Sequence, residues 1–105
     1  MKYLTFAPTA SVPSSLETEI MFAVASARAQ GNDFLKIDLS EDKENKSWPA
    51  VQRQLKLLKK QGRIQFFVDT VDLYGTSTEA QYLANKHPEV FDICGREENA
   101  FIIKI

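Results

Sequence analysis

The sequence predicts an α/β protein: one layered domain over residues 1–105, with a four- to five-stranded mixed sheet and about three helices. Three observations lead there. Apolar, β-prone runs at residues 34–40 and 64–68 flank a segment of helical period, and a connection of that length normally crosses over to set the two strands parallel. Two more stripes of helical period stand among further apolar runs. Finally, 105 residues with 44% hydrophobic content are enough for one core and too few for two.

The elements follow in order. Residues 2–7 read as a strand, with Tyr3, Leu4 and Phe6 apolar and Pro8 ending it for want of an amide donor. Ser14 and Glu17 have the spacing of a capping box, and Leu16, Ile20, Ala23, Val24 and Ala27 form one buried stripe that Gly31 closes. The run at 34–39 suits a central strand, while residues 41–45 carry no apolar side chain and must cross the surface. Ser47 is the expected cap of the next helix, its hydroxyl accepting from a free amide, with Pro49 tolerated in the first turn. Val51, Leu55 and Leu58 make that helix's buried stripe, and Gly62 ends it.

Residues 64–68 form the most hydrophobic strand segment, and the adjacent Phe66 and Phe67 predict a central strand covered on both faces. A weaker stripe, Ala80, Leu83 and Ala84, follows Gly75 and a second capping-box spacing, Thr76 to Glu79, and stops before Pro88. Residues 90–94 and 101–105 are two more apolar runs, joined by a polar, turn-rich link; the pattern leaves open whether they pair as a hairpin or sit apart.

Charge and composition narrow the function. A formal net charge of −1 argues against a globally basic nucleic-acid binder. The lone Cys94 rules out an internal disulfide or a thiolate cluster and fits a reducing cytoplasm. No apolar run is long enough to cross a membrane, and the first residues lack the pattern of a signal peptide.

The strand Leu35-Lys-Ile-Asp-Leu-Ser40, the helix 55–60 closed by Gln61-Gly62-Arg63, the strand after it, and the tail Glu89-Val-Phe-Asp-Ile93 with Glu97, Glu98 and Ala100 together resemble the STAS domain. That fold is shared by bacterial anti-sigma factor antagonists and the cytoplasmic tails of sulfate transporters. The resemblance spans nearly the whole chain and implies a non-enzymatic, cytoplasmic regulatory module that binds a protein, in the antagonists a kinase-like anti-sigma factor. In such antagonists a serine at a helix start after the Asp-Leu-Ser strand is phosphorylated. Ser47 falls near it, with Lys46 where an acidic residue would stand and Trp48-Pro49 in place of small ones.

The partner surface implied is residues 40–53, with Ser40, Lys46, Ser47, Trp48 and Arg53 as its contacts, no cofactor, and a homodimer compatible with it. Against this stand ordinary roles: Ser47 as a helix cap, Trp48 as cover for the end of the core, and Arg53, Lys56, Lys59, Lys60 and Arg63 as a solvated helix face. Thr76, Ser77 and Thr78 read as capping residues, His87 as a surface cap, and Cys94 as a buried thiol. Asp38, Glu41, Asp42 and Glu44 cluster around one loop without the spacing of a calcium site, so no metal is expected. An alternative of another class is a small enzyme or ligand-binding domain using Asp38, Asp69 and Asp72 at the carboxyl ends of parallel strands.

Overall fold

The apolar runs and stripes fold into Tyr3–Phe6 (β1), Pro13–Ala29 (α1), Phe34–Asp38 (β2), Trp48–Lys60 (α2), Phe66–Asp69 (β3), Thr78–Lys86 (α3), Val90–Ile93 (α4) and Ala100–Lys104 (β4). The structure, a computed structural model, describes residues 3–8, 13–41, 47–70, 78–93 and 99–105. Its strands form one four-stranded mixed sheet in the order β1-β2-β4-β3. β1 lies parallel to β2, and β4 runs antiparallel to both β2 and β3. β1, β2 and β3 therefore share one direction, and their carboxyl ends meet the amino end of β4 at the same sheet edge.

Side chains alternate across the sheet and divide the core in two. On one face Leu35, Ile37, Phe101 and Ile103 meet the stripes of α1 (Leu16, Ile20, Ala23, Val24, Ala27) and α2 (Val51, Leu55, Leu58). On the other, Phe34, Val68 and Ile102 meet Leu83 of α3 and Val90 of α4. Both helices of the first face end as expected. Gly31 (φ 72°) and Gly62 (φ 74°) take the left-handed conformation, and the next residue's amide returns to the last turn, Asn32 N–H to the Ala27 carbonyl at 2.9 Å and Arg63 N–H to the Leu58 carbonyl at 2.9 Å.

Four expectations change. β3 is an edge strand, not a central one: it pairs only with β4, and Phe66 and Phe67 are half-buried. The chain's last apolar run takes the interior place instead, because Ala100, Phe101, Ile102 and Ile103 are buried on both faces between β2 and β3. β2 and β3 are thus codirectional but not neighbours. Second, residues 90–93 form a helical turn, not a strand, so the described sheet has four strands and not five. A short apolar run fits either form, and here the amides of Val90 and Phe91 donate to the carbonyls of His87 and Pro88. Third, α1 opens at Pro13, so Ser14 stands inside the first turn and not at its cap. The fourth concerns Ser47. Among the described residues no helix is long and apolar enough to cross a membrane.

Candidate functional site

The sheet edge where β1, β2 and β3 end and β4 begins carries Asp38, Ser40 and Asp69, with Trp48 of α2 packed on Phe101 beside them. At the end of β2, the Asp38 Oδ1 accepts from the Ser40 amide at 2.9 Å, a side-chain turn that folds the chain back as it leaves the strand. Burial pushes the Asp38 carboxyl up, but hydrogen bonds from the Ser40 hydroxyl and amide, with the Lys36 charge on the same face, outweigh it and hold it below the usual carboxylate value. The Leu39 amide then donates to the Asn99 carbonyl at 2.7 Å, tying this turn to the start of β4. Ser40 is exposed.

The chain returns to this edge at Ser47, which sits at the cap position of α2. The expected cap hydrogen bond is not made: Ser47 has φ −82° and ψ −16°, and its side chain makes no capping hydrogen bond. A capping hydroxyl usually reaches the second or third amide from an extended backbone, whereas this helical geometry commits Ser47 through its main chain, its carbonyl accepting from the Val51 amide at 3.0 Å. The residue is half-buried.

Trp48 lies over the core end, as the ordinary reading of it expects. Its ring stacks on Phe101 at 4.2 Å between centroids with 28° between planes, and Phe101 in turn meets Phe67 edge-on at 6.0 Å. This stack pins the first turn of α2 to the central strand, so the residues before and after it have a rigid base. Pro49 and Arg53 are exposed, as are Lys56, Lys59 and Lys60 further along, which gives α2 a basic outer face. Lys46, Asp42 and Glu44 lie outside the described residues.

The carboxylates of the alternative reading are brought to one edge but not to one face. Asp38 stands opposite Ala100 and Asp69 opposite Phe101. Successive residues of β4 face opposite ways, so the two acids leave the sheet on opposite sides with β4 between them. Asp72 lies outside the described residues, as do Thr76, Ser77 and Cys94. No group of three or more His, Cys, Asp or Glu able to hold a metal ion occurs among the described residues.

Two features escaped the sequence reading. Lys36, 7% exposed, is buried on the β2 face that also carries Phe34 and Asp38; a lysine inside an apolar strand was its only signal. His87 is half-buried and not a surface cap: its ring meets Phe34 edge-on at 5.4 Å, Tyr82 lies 6.0 Å away, and its Nδ1 stands 3.7 Å from Glu89 Oε1. Tyr82 also meets Phe66 edge-on, so an aromatic group joins α3 to the sheet.

Compared with known proteins, the chain matches no family model, no curated protein and no solved structure.

Proposed function

We propose that the chain is a non-enzymatic regulatory module of the cytoplasm, of the kind its STAS resemblance implies, that docks a kinase-like protein partner through residues 40–53 and is switched by phosphorylation of Ser47. The observation that carries this reading is the position of Ser47: it stands at the amino end of a 13-residue helix. A phosphate there adds roughly two negative charges where the first amides and the helix dipole favour an anion. Ser40, Pro49 and Arg53 are exposed, and Trp48, stacked on Phe101, holds the start of the helix against the sheet. A modified Ser47 would therefore change the charge of a surface without unfolding the helix beneath it.

The test is phosphate incorporation by a cell extract supplied with ATP, with the modified residue located by mass spectrometry. Phosphate on Ser47, lost in Ser47→Ala, together with a change of about tenfold or more in partner binding on Ser47→Asp, is the expected result. Labelling that survives Ser47→Ala, or none at all, refutes the switch.

A further inference from the structure

We infer that the outer face of α1 is the contact surface of a symmetric dimer, in which the α1 helices of two copies of this chain pack antiparallel. The inference is independent of Ser47. The inward stripe of α1 is buried, yet the opposite side is also apolar: Met21 is 40% exposed, Phe22 is 71% exposed, and Ala25 and Ala29 are exposed beside them. From residue 20 to residue 29 the only charged side chain is Arg28. The outer face of α2, by contrast, carries Arg53, Lys56, Lys59 and Lys60. A helix with one buried side normally keeps charge on the other, so α1 is built as though both sides are covered.

The pattern of the face says what covers it. Turned about a two-fold axis that crosses the helix near Ala23 and Val24, the face matches itself. Phe22 of each copy falls over Ala25 of the other, large against small, and the pair repeats by symmetry. The same register carries each copy's Met21 to the mouth of a shallow groove formed by Met21, Val24, Ala25 and Arg28 of α1 and Leu58 and Arg63 beside it. Charge agrees. Glu17 and Arg28, both exposed, are about three turns apart and so lie on one edge of the helix. Antiparallel packing sets each Glu17 within about two residues' rise, ~3 Å along the axis, of the other copy's Arg28. Parallel packing would instead put the Glu17–Arg28 edges of the two copies on opposite sides of the seam, where neither charge meets its opposite. Arg28 already donates to the Arg63 carbonyl, and its remaining guanidinium donors suffice for the carboxylate.

One helix of 17 residues spans ~25 Å, so the surface buried stays near the roughly 1,000 Å² at which specific interfaces begin. The dimer is accordingly weak and concentration-dependent.

Sedimentation equilibrium across roughly 1 µM to 1 mM tests this, with melting curves as the check on folding. Wild type should pass from monomer to dimer in that range, and Phe22→Glu should weaken association by about 30-fold or more. Glu17→Arg and Arg28→Glu should each weaken it, and the two together should restore it, because the swapped charges again face their opposites. Both Phe22 and Glu17 are exposed, so their variants keep the fold. A chain that stays monomeric throughout, or that uses this face only for lipid vesicles or another protein, overturns the inference. So does a dimer indifferent to Phe22→Glu, which would join through the open edges of β1 or β3, or a charge swap that fails to restore association.

Discussion

The two faces of the sheet are unequally built. One is covered by α1 and α2, of 17 and 13 residues, whose stripes bury against all four strands. The other is covered among the described residues by α3, of nine residues, and the single turn α4. Its cluster is much smaller, Tyr3 and Thr5 of β1 are exposed on it, and Lys36 is buried in it. Helix ends differ too. α1 and α2 close on left-handed glycines, while α3 runs through His87 into Pro88, the His87 amide still donating to the Leu83 carbonyl. Stability is thus concentrated on one side, and the polar side chains of the sheet other than Asp69 collect on the other.

The sharpest way to break this comparison is to empty the core from each side. Phe101 stacks on Trp48, meets Phe67 edge-on and is fully buried on the two-helix face, so Phe101→Ala should cost about 3–5 kcal/mol. Leu83 is equally buried but packs from a short helix that can settle toward the sheet, so Leu83→Ala should fall near the lower end of its class, about 2–3 kcal/mol. Denaturant unfolding of both variants measures the difference, and a Leu83→Ala loss equal to that of Phe101→Ala would mean that the faces are equally rigid.

A smaller effect separates the helix ends. No atom lies within 4 Å of a Cβ built on Gly62, so Gly62→Ala meets no clash and pays only for the left-handed backbone at φ 74°. It should cost about 1–2 kcal/mol. A neutral result in the same unfolding experiment would show that the turn after α2 relaxes to another conformation.

Much of this architecture is legible in the sequence, and the misreadings share a cause. The stripe of α1, the stripe of α2 and both closing glycines follow from local rules of spacing and backbone conformation. The rank of β3 in the sheet does not. Phe66-Phe67 announces burial, but a strand's neighbours are decided by pairing with residues far along the chain, and Ala100–Lys104 wins the interior position. Residues 90–93 show the matching limit at short range, where four apolar residues serve a helical turn as well as a strand. At the candidate site, sequence places Ser47 at the start of α2 but gives it a capping bond that its φ and ψ do not allow. It also gathers Asp38 and Asp69 at one edge without revealing that they face opposite ways, because facing depends on register with β4.

The smallest expected effect belongs to Asp38, on the thinly covered face. Its carboxyl is held below the usual value by the Ser40 hydrogen bonds and the Lys36 charge, against the opposing effect of burial. A carboxyl with a lowered native pKa binds its proton less readily folded than unfolded. Its contribution is therefore complete above the ordinary carboxylate pKa and disappears as pH falls through the lowered one. Ser40→Ala removes the hydroxyl's hydrogen bond and leaves the backbone amide's, so it should destabilise the protein modestly at about pH 7, and the loss should shrink as pH falls through the lowered pKa of Asp38. Asp38→Asn should likewise approach wild type at low pH. Unfolding curves across this range read the effect directly, and a gap between wild type and Ser40→Ala that persists at the acid end would mean that Ser40 acts by packing and not through the charge of Asp38.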